Sequence, residues 1–509
     1  MLACATPHSV NRRIPKSPAP LTVLAIATSM VLLRALPYLL YEQLAFDSDQ
    51  AIVGLMAKHL TERRAFPLFF YGQTYMLAVE SWVAAPFFLL GGPSITTLRF
   101  SILAWNLVFV WLLIAILHRD TGLAPWWALI PVSLIALAPP SVATQLMAAQ
   151  GGIVEPFVWV VVLWLLRRRP LWFGAVFAVA FRNREFTAYA IAGLLLVEML
   201  GGELDRTRVQ QWFAAAVTFA VGWQGIEVLK PFADLAGPGT RGQLIGGFLG
   251  SQFTNLIERS DFDRGALLGR TEHLMPALLQ WFSGAEQIDT HLPVGPYPWA
   301  AWIVGALLFL AIARLIYVVL RPGESGTASS ITARVRLRVH AAAFPFYLLA
   351  IGTIAVAAFI ASKPVLTGYS RYVLLGLLIP VGIAAALAAL EHGRGARMAI
   401  AAAAGSWILF AGSSHALVAV RYMKNPDPDY PRQIAERLVA NGISTAIGSY
   451  WRAYVVSFVA REHVRVASRD FVRIQEYQDA FERASNGVRL SDDPCPNGRE
   501  AGGVFICRP

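Results

Sequence analysis

Residues 20–50 read PLTVLAIATSMVLLRALPYLLYEQLAFDSDQ, an apolar run that ends in two closely spaced aspartates. The run over 20–42 is long enough to cross about 30 Å of hydrocarbon. Cations at 12–16 precede it, as in a signal peptide, but the apolar residues continue past Arg34 and no small-residue cleavage site follows. The sequence therefore predicts an uncleaved first membrane span, with Asp47 and Asp49 at the membrane surface directly after it.

The composition of the whole chain extends this interpretation. Hydrophobic residues make up 56% of the 509 residues and charged residues only 15%, whereas a soluble domain carries about 25% charged residues. This excludes a set of soluble domains, a disordered chain, and a nucleic-acid-binding role built on the net charge of +11. About eleven apolar runs are predicted to be membrane helices, near 20–42, 99–117, 124–140, 155–166, 171–181, 186–200, 209–229, 299–320, 343–361, 372–390 and 398–420.

The cations are distributed unevenly between the two ends of these runs. Clusters such as Arg167 to Arg169 and Arg334 to Arg338 fall on the same side as the N-terminal cations, and the opposite side carries fewer. Positively charged loops tend to stay in the cytoplasm. We therefore expect a cytoplasmic N-terminus and an external C-terminus. The external segments are then about 43–97, about 231–298 and the C-terminal tail.

The tail differs in composition from the helices before it. Short β-branched runs at 443–447 and 464–467 flank a helical stretch at 451–461, and turn-forming residues lead into the segment. The sequence thus predicts a polytopic α-helical membrane domain over 1–420 and a small external α/β domain over 421–509. The two flanking runs and the helix between them suggest a βαβ unit.

Two of the three cysteines, Cys495 and Cys507, lie in this tail. The residues between them include Asn-Gly and Gly-Gly pairs that favour a turn, and the run at 504–506 resembles a short strand. An external compartment is oxidising and allows disulfides to form. We therefore predict a Cys495–Cys507 disulfide, with two buried free thiols as the alternative.

Polar and aromatic residues crowd into the first external segment. It contains Ser48-Asp-Gln-Ala51, Gly54-Leu-Met-Ala57, Phe70-Tyr-Gly-Gln73, Tyr75-Met76 and Glu80. Together these motifs resemble those of the GT-C superfamily of integral-membrane glycosyltransferases. The resemblance is to the bacterial relatives of protein O-mannosyltransferases and of lipid A aminoarabinose or galacturonic acid transferases. Later motifs of the family are similar to Arg371-Tyr-Val373 with Pro380, and to Tyr450-Trp-Arg-Ala-Tyr454 with Phe458.

The resemblance implies a GT-C-like fold in a bacterial inner membrane, with the external C-terminus in the periplasm. It also implies inverting transfer of a sugar from a polyprenyl-phosphate donor. The acceptor would be an external glycan, glycolipid or protein. An acceptor hydroxyl needs a base, and one carboxylate within hydrogen-bond reach suffices. Asp49 is expected to be that base, with Asp47 orienting or assisting it. One departure is Gln50, which stands where the family usually has Glu. If that Glu binds a metal or acts as a second carboxylate in relatives, Asp47 must take over the role here or the role is absent.

The leaving group is a phosphate, which needs cations rather than a general acid. Arginine is suited to this because its fixed donors match phosphate oxygens. The expected phosphate-binding residues are Arg371 first, Lys363 second, and then Arg184 and Arg182. The expected substrate-binding residues are Tyr71, Gln73, Tyr75, Glu80, Glu155 and Tyr372. No cofactor motif is found, and the histidine spacing does not indicate a metal site.

Several of these residues have a purely structural alternative. Asp49 is suited to cap the helix that follows it, and the aromatic residues at 71–76 suit an interface belt. Lys363 and Arg371 suit snorkelling at helix ends, and Arg182 and Arg184 suit a surface turn. Two other function classes stay open: a multi-span transporter or lipid flippase, and a non-catalytic scaffold in envelope assembly.

Overall fold

The computed structural model describes residues 20–243, 257–258, 260–283, 297–322, 330–363 and 370–508. Most of them are helical, and a small sheet lies near the C-terminus. The helices are α1 (Leu21–Leu40), α2 (Ser48–Thr61), α3 (Val79–Gly91), α4 (Ile95–Thr121), α5 (Pro125–Ala136), α6 (Pro140–Leu146), α7 (Glu155–Leu166), α8 (Pro170–Asn183), α9 (Ala188–Gly201), α10 (Arg206–Leu229), α11 (Arg264–Phe282), α12 (Pro298–Leu320), α13 (Ile331–Ala341), α14 (Ala343–Ile360), α15 (Leu378–Leu390), α16 (Arg394–Lys424), α17 (Tyr430–Ala440), α18 (Tyr450–Val459) and α19 (Gln475–Arg483). Short 3₁₀ helices cover Glu185–Thr187, Lys230–Phe232 and Ser370–Leu377.

The predicted fold class, a polytopic helical membrane protein with a small α/β C-terminal domain, is confirmed. Seven helices in the described part of the chain are long and apolar enough to cross a membrane, or eight if α5 and α6 form one broken span. All eleven predicted runs are helical. Three of them, α7, α8 and α9, have only 12 to 14 residues, which is about 18–21 Å at the α-helical rise and less than a bilayer core.

Local chemistry explains where the expected spans shorten or break. The run at 124–140 bends by 88° between α5 and α6, where Pro139 and Pro140 interrupt the helix because proline lacks a backbone donor and restricts the residue before it. Helix α8 ends at Asn183, within a segment that carries Arg182, Arg184 and Glu185, and the 3₁₀ helix Glu185–Thr187 leads into α9.

The C-terminal domain contains five strands, β1 (Thr445–Gly448), β2 (Arg465–Ser468), β3 (Val488–Ser491), β4 (Arg499–Ala501) and β5 (Val504–Cys507). Their order in the sheet is β2-β1-β3-β5-β4, with β1 parallel to both β2 and β3, and β5 antiparallel to β3 and β4. Helix α18 connects the parallel strands β1 and β2, which makes the βαβ unit. The long helix α16 continues to Lys424, and α17 begins at Tyr430.

The end of the tail folds back on itself. Strands β4 and β5 form an antiparallel hairpin around Gly502 and Gly503, whose φ angles are +56° and +74°. The structure pairs Cys495 with Cys507 in a disulfide, with their Cα atoms 6.0 Å apart.

The α/β domain, referred to below as the tail domain, packs on helix α2. Gly54 lies in the contact, and a Cβ added there would lie 2.6 Å from the ring of Phe458, so only glycine allows this approach. Ser48 Oγ donates to the carbonyl oxygen of Tyr450 at 2.6 Å. The tail domain therefore lies over the first turns of α2, where the paired aspartates are found.

Candidate active site

Helix α2 positions the two aspartates differently. Asp47 is the N-cap, and its Oδ1 accepts a hydrogen bond from the backbone N–H of Gln50 at 3.0 Å. The capping role that the sequence left open for Asp49 thus belongs to Asp47. Asp49 lies in the first turn, where the helix dipole favours a negative charge. It is half-buried and lines a pocket of about 420 Å³.

The tail domain holds the Asp49 carboxylate. Tyr450, the first residue of α18, donates its hydroxyl hydrogen to Asp49 Oδ1 at 2.5 Å. Burial, and then the charge of Asp49, raise the pKa of Tyr450 above its usual range. The phenol therefore stays protonated and acts as the donor. One carboxylate oxygen of Asp49 is oriented by this bond, and the other is left to act on a ligand in the pocket.

Gln150 connects Asp47 to an arginine. Its Nε2 donates to Asp47 Oδ2, and its Oε1 accepts from Arg371 Nη1 at 3.2 Å. Burial, and then the nearby charge of Asp49, raise the pKa of Asp47 to about 6. Asp47 is therefore charged above that pH and orients Gln150, and through it Arg371, while Asp49 faces the pocket.

A glycine turn fixes the position of Gln150. Gly151 and Gly152 follow it with φ angles of +75° and +84°, a region that favours glycine. The Glu80 carboxylate accepts both of their N–H groups, at 2.6 and 2.9 Å. Burial raises the pKa of Glu80, which lies beside the fully buried Glu155. Glu80, expected to bind substrate, supports this turn and is not among the described residues that line the pocket.

Arg184 and Arg371, two of the four expected phosphate-binding residues, both line the pocket. Their guanidinium carbons lie 5.9 and 5.3 Å from the centre of the Tyr372 ring. Arg184 Nη1 also contacts the sulfur of Met76 at 3.2 Å. Gln73, Tyr75 and Tyr372, three of the expected substrate-binding residues, line the same pocket.

Other expected site residues lie elsewhere, and the described residues lining the pocket do not include them. Arg182 is buried in the last turn of α8, 3.6 Å above the Trp223 ring and paired with Glu227. Arg184, two residues later, is in an extended conformation, so the two side chains diverge. Lys363 is exposed.

Two more expected substrate-binding residues are buried structural groups. The Tyr71 hydroxyl lies 3.1 Å from His59 Nδ1 beneath the tail domain. Glu155 begins α7 and is 0% exposed, next to Glu80. Both side chains are buried, and neither is among the described residues that line the pocket.

Sequence reasoning missed much of the pocket wall. The residues that it did not assign to the site are Phe70, Met76, Gln150, Ile153, Tyr450, Trp451, Asp470, Phe471 and Arg473. The motif at 450–454 could have indicated Tyr450 and Trp451 as site residues, since it is among the segments that resemble the family. Arg473 had no local signal: it is buried, and its Nη1 donates to the Gly72 carbonyl at 3.1 Å, which only the packing of the tail domain brings about.

Gln50, the departure from the family motif, turns away from the pocket. It is 1% exposed, its Nε2 donates to the carbonyl oxygen of Ala45 at 2.7 Å, and its Oε1 accepts from the N–H of Ala149 at 3.4 Å. It therefore ties α2 to the loop before Gln150. Within the described ranges, no group of three or more His, Cys, Asp or Glu side chains is arranged to hold a metal ion.

The chain matches no protein-family model and no curated protein sequence. Among solved structures it is similar to the oligosaccharyltransferase of Archaeoglobus fulgidus, with a TM-score of 0.49 and 13% identity over 88% of this chain. The match covers 62% of the oligosaccharyltransferase chain, less than two thirds of its length.

It is also similar to ArnT from Cupriavidus metallidurans. The structure bound to undecaprenyl phosphate gives a TM-score of 0.44 and 12% identity, over 96% of this chain and 97% of that one. The apo structure gives 0.41 and 11% over the same shares. At these identities the likeness is general and assigns no residue of this chain a role.

Proposed function

We propose that this protein is an inverting glycosyltransferase that moves a sugar from a polyprenyl-phosphate donor to a hydroxyl group of an envelope acceptor. One observation carries the proposal: the Asp49 carboxylate shares a pocket with Arg371 and Arg184. A base and phosphate-binding cations are the two elements that such a transfer needs.

In this proposal Asp49 is the base. Its Oδ2 takes the proton of the acceptor hydroxyl while the acceptor oxygen forms a bond to the anomeric carbon of the sugar. The bond from that carbon to the phosphate oxygen breaks, and its electron pair stays on the phosphate. A single carboxylate base with no covalent intermediate gives inversion, because the acceptor attacks the face opposite the leaving group. General-base catalysis of this kind contributes about 10²–10⁴-fold in rate.

Arg371 and Arg184 stabilise the charge that develops on the leaving phosphate. Both side chains lie beside Tyr372, and guanidinium donors match phosphate oxygens in geometry. Arg371 is the principal phosphate ligand, since Gln150 already fixes its orientation through a 3.2 Å hydrogen bond. A group held in place before the reaction loses little entropy in the transition state.

The surroundings of Arg371 support a lipid-linked donor. Arg371 lies in the 3₁₀ helix Ser370–Leu377, and Val373, Gly376 and Leu377 of that helix line an apolar cavity of about 350 Å³. The cavity lies among α5, α11, α12, α15 and α16, and its walls are almost wholly aliphatic or aromatic. A phosphate held at Arg371 thus has an apolar space nearby for a hydrocarbon chain, whose burial is favourable.

The site is proposed to face the outside of the inner membrane, where the tail domain and the segment around Asp49 would lie. The uneven distribution of cations supports this orientation. The experiment that tests the function is mass spectrometry of envelope lipids and glycans from cells with and without the gene. A species that lacks one sugar increment in the deletion strain, and regains it on complementation, is the expected result. Identical profiles in the two strains would contradict the proposal.

A further inference from the structure

The tail domain presents two exposed aromatic rings at the mouth of the Asp49 pocket. Trp451 is 63% exposed and Phe471 is 52% exposed, and both line that pocket. A large aromatic side chain that stays in contact with water forgoes the favourable free energy of burying its apolar surface. Exposed apolar groups gathered at a polar pocket mark a binding surface.

These rings are fixed relative to the carboxylate. The Tyr450 ring lies between them, with its centre 5.1 Å from that of Trp451 and 5.9 Å from that of Phe471, and both pairs meet at 84°. Edge-to-face pairs of this kind are favourable. Tyr450 also donates to Asp49. The two rings, called the aromatic rim below, are therefore held in a fixed position relative to the proposed base.

A carboxylate completes the rim. Asp470 is exposed and lines the pocket, and its Oδ2 accepts the Tyr450 backbone N–H at 3.0 Å. This bond holds the side chain at the mouth. A carboxylate has about four lone-pair sites, so this one bond leaves acceptor capacity for hydroxyl groups of a ligand.

We propose that Trp451, Phe471 and Asp470 form an acceptor subsite that binds a carbohydrate ring. The inference rests on the proposed function and narrows it: the acceptor is a glycan or the sugar of a glycolipid, rather than a protein side chain. One face of a sugar ring carries C–H groups that pack against the negative face of an aromatic ring, and its edge carries hydroxyls that a carboxylate accepts. The rim offers both.

The location favours the acceptor over the donor. The proposed phosphate ligand Arg371 and the apolar cavity belong to the membrane domain, along the 3₁₀ helix Ser370–Leu377. The rim belongs to the tail domain and adjoins Asp49 through Tyr450. A base takes the proton of the acceptor, so the acceptor must lie on the Asp49 side of the pocket.

The test is photo-crosslinking in cells with a benzophenone amino acid placed at position 451 or 471 of the full-length protein. The control position is 409 in α16, where Leu409 is 75% exposed on an apolar membrane helix. Mass spectrometry of the adducts should find sugar-bearing species other than the polyprenyl-phosphate donor at 451 and 471, and phospholipid at 409; adducts of the donor alone at 451 and 471 would overturn the acceptor assignment. Phospholipid alone at all three positions would make the rim a membrane anchor. Peptide adducts at 451 and 471, or none there while 409 reacts, would also overturn the subsite.

A second measurement separates this inference from the proposed function. Trp451→Ala should lower transfer about tenfold at limiting acceptor and little at saturating acceptor, and Trp451→Tyr should restore most of it, as expected for an aromatic contact residue. An equal loss in Trp451→Tyr, or a loss confined to saturating acceptor, would refute stacking. If transfer is abolished by Asp49→Asn but unaffected by Trp451→Ala, the function stands and the subsite fails.

Discussion

One buried carboxylate, that of Glu462, helps to hold the tail domain on α2, and removing its charge should weaken this docking. Glu462 has a side chain only 4% exposed. It accepts hydrogen bonds from Lys58 Nζ at 2.5 Å, Arg64 Nη1 at 2.9 Å and Tyr477 Oη at 2.9 Å, and His59 Nε2 lies 3.0 Å away. Burial alone would raise the pKa of Glu462, but the hydrogen bonds and charges of His59 and Lys58 lower it below its usual range.

The cost of Glu462→Gln follows from these partners. Breaking a buried ion pair typically costs about 3–5 kcal/mol. Two of the cations around Glu462 keep other partners after the substitution, because Lys58 also pairs with Glu62 and Arg64 also pairs with Glu476, each at 2.8 Å. We therefore expect a smaller loss, about 2 kcal/mol, which is roughly thirtyfold in the docking equilibrium.

Amide hydrogen exchange in nanodiscs measures this directly. In Glu462→Gln, amides of α2 and α18 should exchange roughly thirtyfold faster than in the wild type, with the membrane helices unchanged. Glu500→Gln, at an exposed position in the same domain, is the matched control and should leave exchange unaltered. Equal exchange in Glu462→Gln and the wild type would refute the role of this carboxylate.

The pH dependence supplies an independent check. Because the folded-state pKa of Glu462 is lowered, its contribution is fully present above the unfolded value of about 4.3 and is lost as the pH falls through the folded value. The difference between Glu462→Gln and the wild type should therefore shrink as the pH falls below about pH 4. A difference that grows on acidification would contradict the assignment.

Three further predictions concern the phosphate ligand, the orientation and the disulfide. Arg371→Lys should weaken donor use and Arg371→Ala should lower it roughly 10- to 100-fold, as expected for loss of a charged hydrogen bond; unchanged donor kinetics in Arg371→Ala would make it a snorkelling residue. A C-terminal alkaline phosphatase fusion should be active and a fluorescent-protein fusion dark, and the reverse pattern would place the site on the cytoplasmic face. Alkylation of the denatured, unreduced protein should label Cys4 alone, whereas labelling of Cys495 and Cys507 as well would exclude their disulfide.

Much of the fold could be predicted because hydrophobic runs and turn residues are local properties. The spans, the βαβ unit and the hairpin at the chain end are visible in the order of apolar, β-branched and turn-forming residues. Span length was harder to predict. The bend between α5 and α6 and the brevity of α7 to α9 depend on how the helices pack, which periodicity does not report.

The candidate site was predictable only where a motif lies on one segment. Asp49 and Arg371 stand out because each is a charged residue at the end of an apolar run. Glu80 and Tyr71 belong to the same motif but point inward, since a motif names residues and not the directions of their side chains. Arg473 joins the pocket through a packing contact between segments about 400 positions apart in the chain, which no single stretch of sequence reveals.

The central claim is that Asp49 is the base. Asp49→Asn keeps the size of the side chain and an oxygen that can accept from Tyr450, and Asp47, not Asp49, is the helix cap, so folding and membrane insertion should be near normal. The measurement is the amount of the sugar-modified envelope species, by mass spectrometry, in the deletion strain complemented with the wild type, Asp49→Asn or Asp47→Asn at equal expression. We predict a fall of about 10²–10⁴-fold for Asp49→Asn and a milder fall for Asp47→Asn. Wild-type levels of product in Asp49→Asn would contradict the claim.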